Sequence, residues 1–277
     1  GGPTLEEYLS PLPEHFKRWP HEECTTSIWV AKVLHANWKA VMEAFMEAWH
    51  NFSTHPQITP FVADANSRYN VYGDHANLAL SPMGVTSAGI DADTKTEQWI
   101  VDAYLEFNGI AALKGGIVVP EGSTARRVLA ESARKDYTDL FGHDLEHATD
   151  AELLDAIYYC VFPNFEPWGG YMPNISYRFR PWPNQDHTLM EVRILTRVAP
   201  GKPIPRSVPM KMLGEGESWG ASDIGPALGQ VLDQDVVNVE EVQRGLKASK
   251  NNRVELGNYM EIRMRQFHQT LDKYLNA

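Results

Sequence analysis

The apolar positions of this chain follow two periods in different stretches. "TTSIWVAKVL" (Thr25–Leu34) is β-branched and apolar and predicts a strand. Trp38, Val41, Met42, Phe45 and Trp49 then recur at helical spacing, which predicts an amphipathic helix running to about His50. "QITPFVAD", "RYNVYGD" and "NLALSP" read as short strands cut by Gly, Asn and Pro. Helical spacing returns over 96–108, with Trp99, Ala103 and Phe107 on one stripe, and again over 126–141 and 151–159. After that the period becomes two. "NISYRFRP" and "TLMEVRILTRV" alternate, with Met190, Val192, Ile194 and Val198 on one face and Glu191, Arg193 and Arg197 on the other. "WPNQDH" between them predicts a hairpin loop. Residues 222–246 are helical in pattern. The last segment, "YMEIRMRQFHQTLDKYL", predicts a long helix with Met260, Met264, Phe267, Leu271 and Leu275 on its buried stripe. Two groups of strands with helices between them predict an α+β fold, an antiparallel sheet packed by helices.

Composition narrows this picture. Residues 1–24 are rich in Pro and charge and predict a surface lead-in segment or linker, leaving 25–277 as one domain. A hydrophobic fraction of 43% supports a substantial core. The net charge of −11, from 36 acids against 25 bases, argues against nucleic acid or an anionic membrane as partner. No apolar run reaches membrane-spanning length, and the opening residues do not read as a signal peptide. Cys24 and Cys160 have no spacing signature, which suits a reducing, cytoplasmic location and excludes an all-cysteine metal cage within the chain.

Candidate chemistry centres on "MEAFMEAWHNFSTHPQ" (Met42–Gln57). Glu43, Glu47 and His50 fall at i, i+4 and i+7, so His50 stands one turn from a carboxylate. His55 follows five residues later. On an unbroken helix that rotates its side chain about 140° away. The two imidazoles can share a metal only if the helix ends or bulges between them. Pro56 gives it a reason to end, since the residue before proline is pushed out of the α region. Two imidazoles and one carboxylate with open positions are the ligand set of non-haem Fe(II) oxygenases, and a zinc hydrolase uses a similar set. From spacing alone, helix-end and turn residues with no metal role are an equal reading.

"NWKAVMEAFMEAWHNFSTHP" resembles the catalytic-domain signature of Rieske-type ring-hydroxylating oxygenase α subunits. Asn37, Trp38, Lys39, Glu43, Phe45, Glu47, Trp49, His50, His55 and Pro56 fit that pattern, while Ala44 replaces its usual Asn. The resemblance implies a third ligand in "LDQDVVNVEEVQRGL": Asp235, with Asp233 as its rival. "FPNFEPWGG" and "SYRFRPWPNQDHTLMEVRIL" extend it over nearly the whole chain. It implies a helix-grip fold, in which a curved antiparallel sheet surrounds a long C-terminal helix and an apolar cavity. It implies mononuclear Fe(II) on His50, His55 and Asp235, and Glu47 as the acid that carries electrons toward the iron. Ala44, Phe162 and Val231 are implied as substrate-binding positions. Expected partners are O2, an aromatic or related apolar substrate, and a Rieske domain fed by ferredoxin and reductase, with the chain assembled as a homotrimer. The Rieske 2Fe-2S cluster needs two Cys and two His, and this chain has neither Cys-x-His nor Cys-x-x-His. It therefore reads as a catalytic domain separated from its Rieske domain.

Two other functions compete. "GHDLEHATD" holds His143, Glu146 and His147 as His-x-x-Glu-His, a zinc-hydrolase spacing that needs both histidines on one helical face. Gly142 before it and a fresh helix start at Thr149 or Asp150 favour a surface turn instead. A non-catalytic helix-grip ligand-binding protein would share the fold without the three metal ligands.

Overall fold

The computed structural model describes residues 2–277 except 92–94, 110–115, 173 and 252. Its strands are β1 (Cys24–Leu34), β2 (Arg68–Tyr72), β3 (Ala76–Ser81), β4 (Ala156–Val161), β5 (Phe165–Gly169), β6 (Asn174–Pro181), β7 (Thr188–Arg197) and β8 (Lys211–Met212). Among the described residues they form one eight-stranded sheet in the order β2-β3-β4-β5-β6-β7-β1-β8. Every pairing is antiparallel except that of β8 with β1. The β6–β7 hairpin closes over 182–187 as the alternation predicts.

Helices cover the inner face of the sheet and, at β4, the outer face as well. On the inner face, Met190 and Val192 join Val30, Tyr177 and Phe179 in the main core. That core is closed by α3 (Trp38–Ala44), α8 (Pro226–Ala248) and α9 (Ile262–Leu275). Leu12, Tyr8, Leu9 and Phe16 pack against Tyr159 and Val161 of β4. They belong to the lead-in segment, which forms α1 (Leu5–Leu9) and α2 (Leu12–His15). A second core of Phe61, Val101, Leu105, Leu129, Leu153 and Leu154 joins α5 (Glu97–Phe107), α6 (Ala125–Phe141) and α7 (Asp150–Leu154). Asp155 fastens this layer to the sheet. Its carboxylate accepts two hydrogen bonds from Arg126, at 2.5 and 3.0 Å, and one from the Met83 amide at 3.0 Å.

Several predicted boundaries move. The helix over 151–159 stops at Leu154, and Ala156–Val161 is a strand. Every residue of that strand is buried, because both faces are covered, so it carries no alternation to read. "QITPFVAD" is not a strand. It makes turns and a single bridge, Val62 to Met83. On α9, Met264 and Phe267 are buried as predicted, but Leu275 is 73% exposed and Met260 precedes the helix. No helix among the described residues is long and apolar enough to cross a membrane.

Candidate metal centre

The helix predicted to reach His50 ends at Ala44, and Trp49, expected on its buried stripe, is 65% exposed. The ending has a local and a distant cause. Phe45 and Met46 donate to Met42 and Glu43, three residues back, which tightens the last turn. From α9, the fully buried Arg263 donates to the freed carbonyls of Met46 (3.0 Å) and Phe45 (3.5 Å). Glu47 then restarts the chain, its carboxylate accepting from the amides of Trp49 and His50. His50 caps α4 (Asn51–Thr54), and His55 leaves that helix at φ −120°, ψ 60°, just before Pro56. The break therefore comes before both histidines, and one short helical turn separates them.

That turn brings the two imidazoles together, with ring centroids 5.2 Å apart. Asp235 meets them from the buried stripe Leu232, Asp235, Val239 of α8. Its Oδ1 lies 3.0 Å from His55 Nε2 and 3.5 Å from His50 Nε2. The rival Asp233 faces elsewhere, accepting from the amides of Trp219 (2.9 Å) and Gly220 (3.2 Å) and from the Ser218 hydroxyl. Gly229 makes this approach of α8 possible. A Cβ there would stand 2.3 Å from the Gly220 Cα.

The donor set fits a metal cation. His50 Nδ1 faces Glu47 Oε1 at 2.5 Å, and His55 Nδ1 faces Gln234 Oε1 at 2.8 Å. Gln57 donates to that same Gln234 oxygen and accepts from its amide nitrogen, which fixes its orientation. An acceptor at Nδ1 holds the proton there and leaves the Nε2 lone pair free. Two such lone pairs then point at a buried carboxylate oxygen that accepts no well-aligned hydrogen bond. Without a cation the cluster draws in a proton. Burial disfavours charge on His50, yet the Asp235 and Glu47 carboxylates beside it outweigh this and raise its pKa to about 10. Burial also opposes a charged Asp235, yet the two imidazoles hold its pKa below the usual carboxylate value. A divalent ion would supply the same positive charge. Among the described residues, these three form the group of His, Cys, Asp and Glu able to hold a metal.

The cluster opens into a largely apolar cavity of about 140 Å3. Ala44 and Val231 line it. Phe162 does not; it stacks on Tyr274 and packs against Phe267, away from the cavity. Three contributors escaped the sequence reading. Gln234 orients His55, Arg263 holds the turn before Glu47, and Glu166 stands fully buried in the cavity wall. Only Glu166 left a local signal, as a charged residue among apolar ones in "FEPWG".

A family model described as the ring hydroxylating alpha subunit (catalytic domain) matches residues 14–277. The chain belongs to this family. Solved structures agree in fold with this ring-hydroxylating alpha-subunit domain. One is described as a quaternary ammonium Rieske monooxygenase, with insights into carnitine oxidation by gut microbiota and inter-subunit electron transfer. It is 12% identical at a TM-score of 0.53, over 99% of this chain and 57% of that one. The quaternary ammonium Rieske monooxygenase CntA bound to an inhibitor gives 12% identity and a TM-score of 0.52, over 98% and 56%. This chain thus spans little more than half the length of those proteins. No curated protein matches it by sequence. In this alpha-subunit domain the His-x-x-Glu-His segment lies on turns, not a helix, and His143 faces Glu23 at 3.7 Å.

Proposed function

We propose that this chain is the mononuclear iron domain of a Rieske-type oxygenase. It would hold Fe(II) on His50, His55 and Asp235 and insert oxygen from O2 into an aromatic or related apolar substrate. The observation that carries this reading is the meeting of two Nε2 lone pairs and one buried carboxylate oxygen at the mouth of an apolar cavity. When bound, a metal in this ligand set supplies oxygen activation beside the substrate. The chain's own residues do the rest. Glu47 and Gln234 keep the protons of His50 and His55 on Nδ1, away from the ligating atoms. The apolar lining excludes water from the substrate and sets its distance from the ligands.

Electrons arrive through Glu47 from a Rieske 2Fe-2S cluster outside these residues, supplied by ferredoxin and reductase. Glu47 supports this by its direct contact with His50 at the rim. Beside it, Trp49 and Phe52 are 65% and 50% exposed, an apolar surface suited to a neighbouring subunit of a homotrimer. In this reading the sheet and α9 form a helix-grip fold, and the two free cysteines suit the cytoplasm. The two neighbours described above are named for a quaternary ammonium substrate; the apolar cavity here suits a neutral ring better.

Metal analysis of the purified chain tests the reading. One iron per chain is expected, lost in both His50→Ala and Asp235→Ala. Zinc kept in both variants and lost in His143→Ala would move the assignment to a zinc hydrolase. No stoichiometric metal at all would leave a ligand-binding protein.

A further inference from the structure

One wall of the cavity carries polar groups that the metal site does not use. Glu166 and Trp168 alternate onto the same face of β5 and both line the cavity that holds His50, His55 and Asp235. Glu166 is 0% exposed, and neither of its oxygens has a hydrogen-bond partner. Trp168 Nε1 is likewise buried without an acceptor. Across the ladder, Tyr177 pairs with Glu166 and Tyr158 with Trp168, so both sit among aromatic rings. The Cys160 thiol stands beside Glu166 as a weak polar neighbour. Burial pushes the Glu166 pKa up to about 8, against the pull of the Arg263 charge.

A buried carboxyl faced only by a weak thiol donor and a buried indole N–H without an acceptor are costly in a core that an apolar pair would fill without penalty. Their cost is recovered when a ligand completes them. The two groups specify that ligand's polar end. Trp168 can only donate, so the ligand must accept. Glu166 takes a donated proton on its carboxyl oxygen. A hydroxyl does both. A cationic head would face the indole N–H and the nearby Arg263 charge, whose guanidinium lies 4.8 Å from the Tyr158 ring centroid. The cavity volume of about 140 Å3 is close to that of an engineered apolar cavity of about 150 Å3 that binds benzene.

We propose that Glu166 and Trp168 are the specificity anchor of the cavity, holding the hydroxyl of a compact, single-ring phenol or cyclic alcohol by two hydrogen bonds. This rests on the reading that the cavity receives the substrate. The anchor fixes which edge of the ring is turned toward His50, His55 and Asp235.

Calorimetric titration of the Fe(II)-loaded chain under nitrogen with phenol, benzene and benzyltrimethylammonium tests it without turnover. Phenol should bind roughly tenfold or more tighter than benzene, the worth of one to two net hydrogen bonds. Glu166→Leu should abolish that preference while benzene binds as well or better. Trp168→Phe should reduce it. Equal affinities for phenol and benzene in the unaltered chain overturn the anchor, whatever the variants do. So does an unchanged preference in Glu166→Leu, or tighter binding of the ammonium probe. Binding of none of the three overturns it as well. If phenol preference is present and depends on Glu166 while the chain takes up no iron, the anchor stands and the oxygenase reading fails. If iron is bound through His50 and Asp235 but the preference is absent, the anchor alone fails.

Discussion

Glu47 does two jobs with one carboxylate. It accepts from the amides that restart the chain, and it holds His50 Nδ1. A glutamine keeps an acceptor for both but removes the charge. Glu47→Gln is therefore expected to keep its iron, to slow electron arrival, and to lower activity by roughly 10- to 100-fold, the usual cost of changing a partner of a ligating histidine. Stopped-flow reoxidation of a reduced Rieske partner reads this directly, and an unchanged rate would remove Glu47 from the electron path. The histidine pair was legible because its spacing and Pro56 are local. Asp235 was reachable only through resemblance, since no spacing rule joins residues 180 positions apart. Gln234 and Arg263 act through contacts that exist only once distant segments meet, so nothing near them in the chain announces their roles.

At the scale of elements, periodicity worked where one face of a segment meets the core. The β6–β7 hairpin and the inner face of β7 came out as expected. It failed where both faces are covered, as in β4, and where a side chain from elsewhere ends a helix, as Arg263 does at Met46. The placement of α8 depends on Gly229, whose missing Cβ admits the Gly220 backbone. Gly229→Ala has no flexible side chain to displace, so α8 itself must shift. We expect a loss of about 1–3 kcal/mol in stability, typical of overpacking, and weaker iron binding although no ligand is altered. Gly245→Ala, on the same helix with open space around it, is the control. It should be neutral or stabilising by about 0.5–1 kcal/mol. Urea midpoints and an iron titration separate the two, and equal iron affinity in both would detach Gly229 from the site.

For the whole molecule, the sequence showed the α+β class, the acidic surface and the family, because these rest on totals and on motifs spread over the chain. It could not show the second helical core or the lead-in helices packed on β4, which depend on how layers close. The site as described holds ligands for one metal and none for an iron–sulfur cluster. This polypeptide with reductase and NADH is therefore expected to give little or no product, and a Rieske-containing partner should restore it. Robust turnover by a preparation shown to contain only this polypeptide would refute the assignment of electron supply.

The contact between Arg263 and the Met46 carbonyl joins positions 217 residues apart. It ties the shape of the first ligand loop to the final helix. His50 and His55 are therefore expected to take up their geometry only once α9 has docked. Metal retention is thereby expected to depend on the docking of α9 and not on the ligand loop alone. A ribosome-bound chain stalled before α9 should fail to retain iron that the released chain holds.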